Sequence, residues 1–246
     1  MSELRIGVIG AGVMGSGIAQ TLAAAGYETV CCDVSEAALE RGKREVVTGR
    51  FGLESAVARG LATRAQMEAA LARLTWSSST EMAAAADLLV ECVPERLDLK
   101  IRVFRELDRV AKPTAILASN TSGFSIAALA AATGRPERVV GWHWASPPPV
   151  MKLAEIVATE ETSQSTIETV VEVARAAGKN PIVVKDTAMS WGFVANRIYF
   201  AMLREAQRVV AEGIATHEQV NQLMVDAYRW PVGPFAMVGG AQSGWK

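Results

Sequence analysis

The chain is poor in histidine and cysteine and carries no excess of either charge. Of its 246 residues, 2 are histidines and 3 are cysteines, and 25 basic side chains nearly balance 26 acidic ones. A net charge of −1 leaves no basic footprint for nucleic acid and no acidic tail, although single Arg and Lys residues can still meet a phosphorylated ligand. Cys31, Cys32 and Cys92 sit inside apolar runs without metal-ligand spacing. They read as reduced, buried thiols of a cytoplasmic protein, and no metal is expected. No apolar stretch reaches the ~20 residues that span a membrane, and the opening MSELRIGVIGAG lacks the basic-then-apolar layout of a secretory signal. Internal repeats and low-complexity segments are absent too.

What is present is half apolar, enough for one large domain with a small appendage. Short apolar runs alternate with helical patterns, which implies βαβ units around a mainly parallel, doubly wound α/β sheet of the Rossmann type. Strands are expected at Leu4–Gly10, Thr29–Asp33, Leu74–Ser77, Leu88–Val93, Ala115–Ser119, Val139–Trp144, Leu153–Ala158 and Ile182–Lys185. Val13–Ala25 reads as a helix closed by Gly26. Ser35–Arg73 is too long for a simple crossover helix and reads as two or three helices broken near Gly49–Gly52 and Gly60. From Gly192 to Ala227 the pattern is purely helical, so the expected division is 1–186 for the nucleotide-binding domain and 187–246 for a small helical domain.

Gly10-Ala11-Gly12-Val13-Met14-Gly15 satisfies GxGxxG between a strand and a helix. The first glycine permits the turn, the second lets the backbone approach a pyrophosphate, and the third lets helix and strand pack closely. The N–H groups of the helix start, with the positive end of its dipole, then face the phosphates. Asp33 ends the second strand, 18 residues beyond Gly15. A carboxylate there binds ribose hydroxyls and repels a 2′-phosphate, which favours NAD over NADP.

Ligands of open α/β sheets sit beyond the carboxyl ends of strands, and two chemical groups gather there. Ser119-Asn120-Thr121-Ser122 follows one strand and His143 ends the next. Glu155 comes within hydrogen-bond reach of His143 if Pro147–Pro149 reverse the chain. The other histidine, His217, lies in a Thr216–Gln219 capping box and needs no function.

The motifs GAGVMGSGIA, ECVPERLDLK, ASNTSG, RPERVVGWHW, MKLAEIV, GKNPIVVKD and GFVANRI occur in order along nearly the whole chain. In these the sequence resembles the L-3-hydroxyacyl-CoA dehydrogenase family. The resemblance implies NAD-dependent interconversion of a 3-hydroxyacyl-CoA and its 3-oxo form. His143 would be the general base, Glu155 would hold its imidazole in one tautomer, and Ser119 and Asn196 would hydrogen-bond the reacting oxygen. Glu95 and Lys100 match family residues near the cofactor, with Glu91 beside the same cleft. Arg59 and Arg64 fall in the segment that leans over the acyl-CoA.

The chain departs from the family pattern in three places. Ser146 stands where the family commonly has Asn, three residues after the histidine, so it too is a candidate cofactor contact. Asp186–Phe193 has two extra residues and no proline where the family usually shows Asp-x-Pro-Gly-Phe. The helical part is short and ends in GPFAMVGGAQSGWK, near where later helices would begin. Uncovered apolar helix faces there imply a homodimer. Two other functions stay open: a dehydrogenase or reductase of a non-CoA hydroxy, keto or imine substrate, and a non-catalytic NAD-binding protein.

Overall fold

A computed structural model describes residues 4–186 and 191–243. The chain divides into two compact units, Met1–Trp191 and Gly192–Lys246. The first is built on eight strands: β1 (Ile6–Ile9), β2 (Thr29–Cys32), β3 (Leu74–Ser77), β4 (Leu88–Glu91), β5 (Ile116–Ser119), β6 (Val139–Trp144), β7 (Leu153–Ala158) and β8 (Asn180–Lys185). They lie in one sheet in the order β3-β2-β1-β4-β5-β6-β7-β8. All neighbours run parallel except β6 and β7, which pair antiparallel.

Parallel strands are covered by helices on both faces and therefore read as continuous apolar runs, as IGVI, LLVE and ILAS do here. The helices of this unit are α1 (Val13–Ala24), α2 (Glu36–Thr48), α3 (Leu53–Ala58), α4 (Arg64–Arg73), α5 (Thr80–Ala84), α6 (Leu97–Val110), α7 (Ile126–Ala130) and α8 (Gln164–Ala176). Three of them, α2 to α4, make the crossover from β2 to β3. Ser35 caps α2 through the Ala38 N–H, and a Thr63–Gln66 capping box starts α4. Leu39, Val46, Leu53, Met67 and Ala70 anchor all three in the core beside Ile18 and Leu22 of α1. Arg59 and Arg64 stay exposed at the surface of this segment.

Between β6 and β7 the chain reverses through Pro147–Pro149, with a cis Ser146–Pro147 peptide and the Val150 and Met151 N–H groups donating to the Pro147 carbonyl. The turn is held from two sides. A Cβ on Gly17 of α1 would lie 3.1 Å from Pro148, so α1 and the turn are in close contact. From the other side Lys179, only 5% exposed, donates to the carbonyls of Pro148 and Met151, the latter at 2.8 Å, and sits 5.0 Å over the Trp144 ring.

The second unit contains α9 (Val194–Ala211), α10 (His217–Tyr228) and α11 (Pro234–Ser243). Thr216 and Gln219 form the expected capping box. Asn221 Oδ1 accepts from the Phe235 N–H, and the His217 ring meets the Phe235 ring edge-on at 4.3 Å. The α11 helix extends the helical pattern beyond the expected Gly192–Ala227 stretch. Pro234 suits its first turn, where the missing N–H costs nothing. The altered hinge at 187–190 lies outside the described residues.

Burial, with a smaller contribution from Lys152, lowers the Lys179 amine to about 8. Below pH 8 the ammonium is charged in both folded and unfolded chains, and its burial costs stability. Between 8 and the ordinary lysine value the unfolded chain binds more protons, so this group's contribution rises with pH. The unfolding free energy of wild type minus that of Lys179→Met should therefore climb through that window, by at most about 1.4 kcal/mol per pH unit. Urea melts of both proteins at several pH values check this; a flat difference would show that the amine is not desolvated.

Candidate active site

The sheet register lines up the chemistry. Residues paired across neighbouring strands point to the same face, and side chains alternate faces along each strand. Glu91 pairs with Ser119, Ser119 with Gly141, and His143, two residues further along, with Glu155. One face of the carboxyl edge of β4, β5 and β6 thus carries Glu91, Ser119 and His143, joined by Glu155 from β7. Trp142 and Trp144 fall on the opposite face, in the core with Val170 and Ile156.

His143 Nδ1 lies 2.7 Å from Glu155 Oε2, and both residues are buried. A carboxylate only accepts, so Nδ1 carries the donated proton and the contact fixes the tautomer of a neutral ring. Asn120 braces the strand beside them: its Oδ1 accepts from the Trp144 N–H at 2.9 Å.

A second buried network lies under the neighbouring strands. Lys100 Nζ donates to Glu91 Oε1 at 2.7 Å and contacts Glu95 Oε2 at 3.2 Å. The Val93 N–H also reaches Glu91 Oε1, while the Ser119 hydroxyl donates to Glu91 Oε2 at 2.6 Å. Glu91, Lys100 and Ser119 are all essentially inaccessible. Burial pushes the Glu91 carboxyl above its ordinary value, and Lys100 and the two other donors pull it back. Glu95 Oε1 ties in the next loop, accepting from Thr121 Oγ1 at 2.6 Å and from the Ser122 N–H.

Beside this network opens a cleft of about 830 Å³, lined among others by Gly10, Gly12, Asp33, Glu95, Lys100 and Asn120. It lies where the strand order reverses between β1 and β4, the switch point at which open α/β sheets bind nucleotides. Gly10 has φ +106°, and a Cβ on Gly15 would fall 1.8 Å from the Gly10 carbonyl oxygen, so neither position accepts a side chain. A Cβ on Gly12 would meet nothing within 4 Å and would project into open space. Val13 is largely exposed, and Met14 is half-buried beside it in the cleft lining. Asp33 Oδ2 accepts from the Ala11 N–H at 2.9 Å and Oδ1 from the Ser35 N–H, which locks the glycine turn to the end of β2. A bare backbone cradle, a helix N-terminus and a carboxylate at the second strand fit a dinucleotide with a free ribose 2′-hydroxyl.

Other positions read from the sequence fall as follows. Ser146 is exposed in the proline turn, and Asn196 lies half-buried in the first turn of α9, in the second unit. Cys31 and Cys32 are buried, and burial with Asp33 pushes the Cys32 thiol up to about 12. Cys92 corrects the reading of three buried thiols: it is partly exposed and lines the cleft. No group of three or more metal-ligating side chains occurs among the described residues. Asn120, read from the sequence only as part of the Ser119–Ser122 group, braces the histidine hairpin, and so does Lys179, for which the sequence offered no signal.

A doubly wound sheet with this cradle at its switch point is the NAD-binding scaffold of an oxidoreductase. The family model for the 3-hydroxyacyl-CoA dehydrogenase NAD binding domain matches residues 5–187, and that for the 3-hydroxyacyl-CoA dehydrogenase C-terminal domain matches residues 192–241. The chain belongs to the 3-hydroxyacyl-CoA dehydrogenase family. It is 38% identical over 237 residues to a probable 3-hydroxybutyryl-CoA dehydrogenase of Bacillus subtilis, covering 96% of this chain and 80% of that protein. It is 37% identical to the mitochondrial hydroxyacyl-coenzyme A dehydrogenase of Sus scrofa, covering 95% and 74%. The crystal structure of the (S)-3-hydroxybutyryl-CoA dehydrogenase from Ralstonia eutropha superposes with a TM-score of 0.90 at 37% identity, covering 96% and 81%.

The glycines separate folding from binding. Gly12→Ala should leave the melting temperature within about 2 °C of wild type, because the new methyl meets no protein atom. It should weaken NADH at least about tenfold, because that methyl occupies the approach of the pyrophosphate. Gly15→Ala should lower stability as well, by about 1–3 kcal/mol. Thermal melts and NADH fluorescence titrations of both variants give the comparison.

Proposed function

We propose that the protein is an NAD-dependent 3-hydroxyacyl-CoA dehydrogenase that moves the hydroxyl proton of its substrate through His143. The observation that carries this reading is the buried 2.7 Å contact between His143 and Glu155, on the same sheet face as Ser119 and next to the dinucleotide cleft. NAD, when bound, supplies the two-electron acceptor for the hydride leaving substrate C3. His143 Nε2 takes the proton from the 3-hydroxyl during oxidation and returns it during reduction, while Glu155 fixes the tautomer and stabilises the imidazolium. Ser119 hydrogen-bonds the reacting oxygen. Asn196 as a second hydrogen-bonding group for that oxygen rests on the family resemblance.

Gly10, Gly12, Val13, Met14 and Gly15 form the cofactor cradle, Asp33 selects a free 2′-hydroxyl, and Glu95 contacts the cofactor from the cleft wall, where the family resemblance also places Lys100, its ammonium held by Glu91, Glu95 and the Val93 carbonyl. Glu91 supports Lys100 from beneath, and Ser146 is the remaining candidate contact. A cytoplasmic location is supported by three cysteines free of disulfides. A homodimer is supported by Ile198, Ile214, Leu223 and Tyr228 of the second unit, each more than 60% exposed. Sedimentation should give twice the chain mass; a stable monomer at micromolar concentration refutes the dimer.

Following NADH absorbance with acetoacetyl-CoA tests the reaction. His143→Ala should lower kcat by about 10²–10⁴-fold while NADH affinity stays within twofold. Full activity in that variant would refute the mechanism. Equal turnover of free 3-oxo acids would instead assign the enzyme to non-CoA substrates.

A further inference from the structure

Ser119 has one proton, and Glu91 holds it. Glu91 Oε1 already accepts from Lys100 Nζ and from the Val93 N–H, and Oε2 accepts from Ser119 at 2.6 Å. A carboxylate facing an ammonium and a backbone N–H cannot donate, so the direction of the serine bond is set. Ser119 Oγ in turn accepts from the Thr121 N–H at 3.2 Å. What remains of the hydroxyl is a second lone pair.

We propose that Glu91 is a positioning residue that sets the polarity of Ser119, so that the serine meets the substrate oxygen as an acceptor and the resting site prefers the 3-hydroxy over the 3-oxo form. This rests on the reading that Ser119 contacts the reacting oxygen. The hydroxy form brings a proton, which Ser119 or His143 can accept. The oxo form brings only lone pairs, and Ser119 can meet them only by breaking a short, charge-assisted bond to a buried carboxylate. The cost of that break falls on the ketone complex, whose dissociation it hastens. It falls less on the transition state, where the oxygen gains alkoxide character and competes better for the serine proton.

Glu91→Gln reverses the polarity without removing a bond. Lys100 and the Val93 N–H require an oxygen at the Oε1 position, which forces the new amide nitrogen to the Oε2 position. That nitrogen donates to Ser119, and the serine proton must turn toward the substrate. The readout is the ratio of two dissociation constants in non-reacting ternary complexes: acetoacetyl-CoA with NAD⁺, and 3-hydroxybutyryl-CoA with NADH. Glu91→Gln should shift the ratio toward the oxo ligand by roughly tenfold. In a Ser119→Ala background the same substitution should change it less than twofold. An unchanged ratio in Glu91→Gln with melting temperature and NADH affinity preserved would overturn the proposal, leaving Glu91 as an anchor for Lys100. Should Glu91→Gln fail to fold, Ser119→Ala alone decides. Loss of preference for the hydroxy ligand supports the acceptor role, and selective weakening of the oxo ligand refutes it. Failure of both thioesters to bind wild type would instead refute the functional reading on which the proposal rests.

Discussion

Everything at the candidate site depends on strand register. Side chains on a strand alternate faces with a period of two, so a one-residue slip of β6 would exchange His143 for Trp142 and Trp144. The tryptophans prevent that slip: both are buried in the core and touch, with ring centroids 4.9 Å apart. Their indole N–H groups find no partner among the described residues, a cost that burial of two large rings offsets. The Asn120 side chain adds a check from β5, since its amide oxygen reaches the Trp144 N–H only in this register.

Registration also explains how so many charges are tolerated inside. Glu91, Lys100, His143 and Glu155 are each less than 10% exposed. Isolated, any of them would be expensive to bury; here each meets an opposite charge or a directed donor. Such pairs add little net stability but fix orientation, which is what proton transfer and hydride transfer require. The sheet register sets which group faces which before any ligand arrives.

Much of this architecture was legible because buried parallel strands write themselves as unbroken apolar runs. Leu74–Ser77, Val139–Trp144 and Leu153–Ala158 match their expected bounds, and most other strand ends differ by one or two residues. The β8 strand starts earlier than expected, at Asn180, because Asn and Pro normally mark loops. Pro181 is tolerated there because β8 is an edge strand. The α11 helix was missed for a related reason, since paired glycines and an apolar composition give no amphipathic pattern. The dinucleotide cradle was visible from spacing alone. The Glu91–Ser119–Lys100 network was not, because contacts across strands leave no periodicity in a sequence. Nor was the burial of Lys179, whose partners are carbonyls that every residue possesses.

The contact between Gly17 and Pro148 joins two parts that could have been separate. Gly17 belongs to the helix that opens at the glycine motif, and Pro148 to the turn that sets His143 opposite Glu155. With Lys179 gripping the turn from the other side, cradle and histidine hairpin form one stiff piece. The turn is thus packed between α1 and the Lys179 ammonium rather than left as a free loop. A side chain at position 17 would therefore press on the turn that carries the histidine as well as on the helix that opens at the glycine motif.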